Sequence, residues 1–242
     1  MSKRSKKVKQ SLDYCNIGDD MGFEEAEAFK LLRANLLFSL PDTQQCRIVG
    51  ITSAMSGEGK SVTAVNLAYT IAKMGKKVLL LEADMRLPSC AKRLNLMPAP
   101  GLSNLLAGLN RGADVLQLSG IEGNMHVITA GDIPPNPSEL LGSEQMKTVI
   151  DMLSKQFDFI IVDLPPVNIV SDALVVSSLV SGMMIMVRQG YTNQRMLAEL
   201  MRQMQFVKQK ILGFVLMQTN TSTKSYRRYY KESKYAYSQK QQ

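Results

Sequence analysis

At 242 residues the chain can form one α/β domain or two small ones and can bury a full core. Three scattered cysteines (Cys15, Cys46, Cys90) and one histidine, His126, argue against a zinc site and for a reducing cytosol. The net charge of +8 sits at the two ends: residues 1–12 carry five basic side chains and residues 224–242 six against Glu232, which leaves the body about −2.

In chain order, residues 1–20 are polar and aperiodic and read as a mobile basic tail. Such an end can meet acidic lipid headgroups or nucleic acid, or be merely solvated. No basic-then-apolar leader is visible in it, so no signal peptide is expected. A helix is expected over 24–39, with Phe29, Leu32, Leu36 and Leu37 on one face, Phe23 at its start and Pro41 beyond its end. Glu27, Lys30 and Arg33, spaced by threes, share an exposed side, which on its own reads as a solvated face with one intrahelical ion pair.

An apolar β-branched run, Ile48 to Ile51, then predicts a buried strand. A small-residue loop, Ala54-Met55-Ser56-Gly57-Glu58-Gly59-Lys60-Ser61, follows it, and a helix opens at Ser61-Val62. Strand, glycine loop and helix give Gly-Lys-Ser the context of a phosphate-binding P-loop, with Ala54 in place of the usual first glycine. Gly57 and Gly59 let successive N–H groups turn toward phosphate oxygens, and the helix N-terminus adds positive potential. Ser56, Gly57, Glu58, Gly59, Lys60, Ser61 and Val62 are therefore the expected nucleotide-binding residues. Lys60 would reach the β- and γ-phosphates and Ser61 would hold Mg²⁺.

Val78-Leu79-Leu80-Leu81 is a second apolar strand, running into Glu82-Ala83-Asp84-Met85-Arg86. Alternation puts Glu82 and Asp84 on one side, where they suggest a metal ligand and a proton acceptor at the end of a parallel strand. Residues 88–123 read as short helices and loops and His126 to Gly131 as a short strand. Pro134-Pro135-Asn136-Pro137 reads as a stiff turn before helices capped by Ser138 and Ser143. His126 is given no role. Phe159-Ile160-Ile161-Val162 delivers Asp163 at its C-terminal end, the Walker B arrangement, in which a carboxylate holds Mg²⁺. Strands over 183–187 and 211–216 flank a helix from about Asn193 to Lys208. The alternation predicts an α/β fold with a doubly wound, mostly parallel sheet of the P-loop type. The longest apolar stretch, Ala173 to Val187, is interrupted by Ser177, Ser178, Ser181 and Gly182 and is too short to span a membrane, so a soluble protein is expected.

Five of the eight tyrosines (Tyr226, Tyr229, Tyr230, Tyr235, Tyr237) crowd into a basic, aliphatic-free end. Aromatics among Lys and Arg can stack on single-stranded nucleic acid. They can equally form a substrate tail that enters an active site, or a segment with no purpose.

P-loop, Glu82/Asp84/Arg86, Asp163 and the tyrosine cluster together resemble the bacterial tyrosine kinases, in the separate cytoplasmic form (CpsD/CapB type) that serves capsule and exopolysaccharide assembly. Ala130-Gly131, Pro134 to Leu141 and Ser171-Asp172-Ala173 are also similar to that family's sequence. The resemblance implies a P-loop kinase domain over 21–219 with a disordered tail over 220–242. It implies a tyrosine kinase using ATP and Mg²⁺, with Lys60, Glu82, Asp84, Arg86 and Asp163 catalytic, Glu82 as the base, and Ser61, Asp84 and Asp163 on the metal. It also implies autophosphorylation of the five C-terminal tyrosines and a ring-shaped homo-oligomer built by Glu27, Lys30 and Arg33, the counterpart of a Glu-x-x-Arg-x-x-Arg helix. The implied partners are a membrane-anchored polysaccharide co-polymerase, which recruits the cytoplasmic kinase to the membrane, and a tyrosine phosphatase. No nucleic acid is expected. Two rivals stand beside this reading. A partition- or division-type ATPase switch is disfavoured by Met55, where that branch carries a lysine. A pseudokinase scaffold is suggested by Glu82 in place of aspartate and by Met217, where the family commonly has an asparagine near the adenine.

Overall fold

A computed structural model describes residues 16–40 and 45–218. Its strands are β1 (Arg47–Ser53), β2 (Val78–Glu82), β3 (Gln117–Leu118), β4 (Met125–Ile128), β5 (Phe159–Asp163), β6 (Gly182–Arg188) and β7 (Ile211–Met217). They form one sheet in the order β3-β4-β2-β5-β1-β6-β7, parallel throughout except for the short β3 against β4. The central strands are covered on both faces, which is why they read as unbroken apolar runs rather than as alternating ones.

The two faces still separate by parity along each strand. Leu79, Leu81, Ile160 and Val162 face one core with α7 (Glu144–Ser154) and α9 (Gln194–Phe206), through residues such as Ile150 and Leu200. Val78, Leu80, Phe159 and Ile161 face the other, with α2 (Lys60–Ala72) and α1 (Phe23–Ser39). One free thiol lies in each core, Cys46 in the first and Cys90 in the second. Every residue of α2 except Ser61 is buried, so this helix is enclosed nearly all round, with polar residues such as Asn66 among those covered.

Register fixes the site. Ile51 pairs with Asp163 across β1 and β5, and Glu82 pairs with Asp163 across β2 and β5. The ends of three adjacent strands thus bring the loop after β1, the carboxylates after β2 and Asp163 to one edge of the sheet.

Three expectations are corrected. The mobile tail does not extend to residue 20: Gly18–Asp20 form a 3₁₀ turn held on α2. Gly18 N–H donates to Asn66 Oδ1 (3.1 Å), Asn66 Nδ2 donates to the Asn16 carbonyl (3.1 Å), and Tyr69 bonds Asp19. Ser138 does not cap its helix: Asn136 precedes α6 (Pro137–Leu141) and the Ser138 hydroxyl bonds Asp172 instead. Ser143, as expected, accepts from Met146 N–H at the start of α7. Arg33 does not lie on an open face with Glu27 and Lys30. Its guanidinium donates to the Thr70 carbonyl near the C-terminus of α2 (2.6 Å), where unpaired carbonyls favour a cation, while Lys30 pairs with Glu27 (2.7 Å). Among the described residues no helix is long and apolar enough to cross a membrane. The tyrosines of the C-terminal cluster lie outside the described residues.

Candidate active site

The loop from Ala54 to Gly59 turns on two glycines with positive φ, Gly57 (82°) and Gly59 (92°), a backbone that a side chain rarely allows. The helix begins at Lys60, so its first N–H groups face the loop. Ser56 and Gly57 are exposed, while Lys60 and Val62 are buried under the fold. Glu58 has no exposed surface. Its carboxylate turns inward, accepting from Met55 N–H (2.7 Å) and from the Thr192 hydroxyl, so the side chain is not a phosphate contact. Met217 stands against the loop: a Cβ on Gly59 would lie 3.0 Å from its Cε, and its Sδ is 3.7 Å from Thr63 Oγ1. Met217 and Val62 also line a cavity of about 530 Å³ between α1, α2 and β7.

Asp163 is buried, and its Oδ1 has no hydrogen-bond partner. Burial pushes its pKa up to about 7; Lys60 and the Ser61 hydroxyl pull it down, while Glu82 and Asp84 push it further up. Glu82 and Asp84 therefore share a side, as alternation predicts, but their surroundings differ. Glu82 is fully buried. Its Oε1 accepts from Ser89 N–H (2.5 Å) and Cys90 N–H (2.6 Å), and its Oε2 from Ala130 N–H (3.2 Å). It caps α3 (Cys90–Leu94) and ties it to the end of β4, and in this arrangement no face of the carboxylate expected to be the base is open to a substrate hydroxyl. Asp84, 6 % exposed, retains accessible surface and accepts Leu87 N–H with Oδ1 (3.1 Å).

Arg86 forks onto Asp172, with Nε to Oδ2 at 2.9 Å and Nη2 to Oδ1 at 3.1 Å, and also reaches Ser138 Oγ. Asp172, at the start of α8 (Asp172–Val176), is fully buried, and the pair raises the Arg86 pKa further. Arg86 is thereby a strut between three loops. Those loops carry the family-like segments around Ser138 and Asp172, whose meeting point the sequence alone does not reveal.

A buried oxygen without a partner, beside a serine hydroxyl at a helix start and a second carboxylate, suits a hard divalent cation. Ser61, Asp84 and Asp163 thus fit Mg²⁺. Glu82, Cys90 and Asp163 also bring ligand atoms within 4.8 Å of one another, but Glu82 is engaged by three N–H groups. Burial moreover holds the Cys90 thiol well above its ordinary pKa, so this trio does not suit a metal.

The sequence reading missed Arg188 and Thr192. Arg188, 3 % exposed, donates from Nη1 to the Gly57 carbonyl and from Nε to Gln218 Oε1, both at 2.9 Å. The only signal was an arginine closing an apolar strand.

Residues 46–215 match the family model described as "AAA domain". The chain is 36 % identical over 205 residues to the tyrosine-protein kinase YwqD of Bacillus subtilis, covering 85 % of this chain and 86 % of that protein. It is 34 % identical to the putative tyrosine-protein kinase CapB of Staphylococcus aureus, covering 79 % and 83 % respectively. Among solved structures, the kinase domain of Escherichia coli tyrosine kinase ETK superposes with a TM-score of 0.75 at 33 % identity, covering 81 % of this chain and 78 % of that one.

Proposed function

The chain belongs to the bacterial tyrosine-protein kinases, and on that premise we propose that it transfers the γ-phosphoryl group of ATP to tyrosines of its own C-terminal cluster, mainly between subunits. The observation that carries the reading is the orphaned Asp163 Oδ1 beside Ser61, Lys60 and Asp84 at one end of the sheet. Loop N–H groups and Lys60 hold the phosphates, and the cavity beside Met217 supports a site for the base and ribose. Bound Mg²⁺, held by Ser61, Asp84 and Asp163, would neutralise charge developing on the phosphates. Asp84, rather than Glu82, takes the tyrosine proton, because it keeps accessible surface while Glu82 has none. The remaining contribution is positioning. Family resemblance supports a membrane-anchored polysaccharide co-polymerase as activator, a homo-oligomer and a role in capsule or exopolysaccharide assembly, with no nucleic acid bound.

The test is an assay that separates phosphotyrosine from free phosphate, run with a membrane-anchored co-polymerase of the kind proposed as activator co-expressed. Lys60→Met should abolish phosphotyrosine with the fold intact. Phosphotyrosine at the wild-type level in that variant overturns the site. Free phosphate without phosphotyrosine in the wild type points instead to an ATPase switch.

A further inference from the structure

We propose that Arg188 is a positioning residue for the phosphate site: it fixes the orientation of the Gly57–Glu58 peptide and ties that peptide to the segment leaving β7. The inference rests on the reading of the Gly57–Lys60 loop as the phosphate binder.

Glycines at positive φ let the loop adopt its shape but do not hold it there. Side chains from the β6–α9 connection hold it. Arg188, the last residue of β6, donates to the Gly57 carbonyl at 2.9 Å from a site with 3 % exposure, and its guanidinium lies over the Tyr191 ring at 5.3 Å. A trans peptide is planar, with its C=O and N–H directed oppositely. Drawing the Gly57 carbonyl to Arg188 therefore turns the Glu58 N–H the opposite way, away from Arg188. Thr192 reinforces this. Its hydroxyl donates to the buried Glu58 carboxylate while its oxygen accepts from Arg188 N–H at 2.8 Å. Glu58 in turn accepts Met55 N–H, which closes the loop at its other end. A flipped Gly57–Glu58 peptide would present a carbonyl where an anion needs a donor.

The second arm of Arg188 reaches Gln218 Oε1 at 2.9 Å, one residue past β7, and Gln218 has a positive φ of 59°. One guanidinium thus joins the anion-binding peptide to the root of the segment that carries the tyrosine cluster. The role is distinct from catalysis, because Arg188 acts through a peptide.

If the loop is correctly shaped only part of the time, apparent affinity falls by the competent fraction, while turnover at saturation is preserved. A charged hydrogen bond of this type corresponds to roughly tenfold or more in such an equilibrium. The experiment uses the full chain with its activator and measures ATP affinity by calorimetry and KM and kcat for Mg-ATP. The variants are Arg188→Met, Arg188→Lys and Thr192→Val. Arg188→Met should raise Kd and KM for ATP about tenfold and leave kcat within about threefold. Arg188→Lys should recover part of the loss, since it keeps one donor of the fork, and Thr192→Val should shift KM in the same direction by a smaller factor. Should Arg188→Met fail to fold, the other two variants carry the test. ATP affinity within twofold of wild type in all folded variants overturns the inference, as does a fall in kcat at unchanged KM. Wild-type protein that does not bind ATP overturns the phosphate-site reading itself, and this inference with it.

Discussion

Glu82 and Asp84 stand two residues apart and differ in how many of their lone pairs are already taken. Glu82 accepts three main-chain N–H groups, so replacing one oxygen by NH₂ sets a donor against a donor. Glu82→Gln should lower stability by about 1–3 kcal/mol, read in urea denaturation, whereas Asp84→Asn should barely change it. Transfer should show the reverse ranking, with Asp84→Asn slowed by about 10²–10⁴-fold in single turnover. Equal slowing in both variants would leave the base unassigned. Asp163 gives a prediction in pH. Its folded pKa of about 7 lies above the ordinary carboxylate value of 3.8, so between the two the folded state keeps a proton that the unfolded state has lost. Stability therefore declines as pH rises from about 4 to about 7, and the full penalty persists above that. Asp163→Asn, measured without nucleotide, should melt several degrees above wild type at pH 8, with the gap closing toward pH 4. A gap independent of pH would show that the burial cost is not one of charge.

At the scale of elements, the corner where α4 (Leu102–Leu106) meets the end of β4 depends on a missing side chain. A Cβ on Gly101 would lie 2.3 Å from the Thr129 carbonyl oxygen and 2.4 Å from Gly131 N, both main chain. Gly101→Ala should cost about 1–3 kcal/mol or more. Gly112→Ala, at the start of α5 (Gly112–Val115) with nothing within 4 Å, should be neutral to stabilising. Chemical denaturation of the two compares them directly. The elements themselves were largely legible in the sequence. β1, β2, β5 and β6 are apolar runs because both faces of the sheet are covered, and the P-loop and Asp163 follow from their strand ends. What was not legible depends on partners distant along the chain. Arg188 meets Gly57 across 131 residues, Arg86 meets Asp172 across 86, and Glu82 meets Ala130 across 48. Local pattern has no access to such pairs. It also misplaced the start of the folded body, because Asn66 and Tyr69 anchor residues 16–20 from within a helix read only for its apolar face.

For the whole molecule, α1 combines two functions that the spacing of threes had merged. Arg33 is bonded within its own subunit to Thr70, while Glu27 and Lys30 form an exposed pair. Arg33→Ala should therefore lower unfolding stability by about 1 kcal/mol or more. Glu27→Ala and Lys30→Ala should stay within about 0.5 kcal/mol, so any change in oligomer mass they cause reports on assembly alone. Light scattering beside thermal melting separates the two effects. A stable Arg33→Ala protein that has lost its oligomer would place Arg33 at the interface after all.

The two cores carry one thiol each among the described residues, and this makes each face of the sheet separately observable. Burial pushes Cys46 up to about 12 and Cys90 well above its ordinary range, so neither is a reactive thiolate while its face stays closed. Cys90 has no exposed surface, so its alkylation requires the packing around it to open, whereas Cys46 keeps 9 % exposure at the margin of the other core. Labelling rates at the two positions are in effect two clocks, one for each half of the fold.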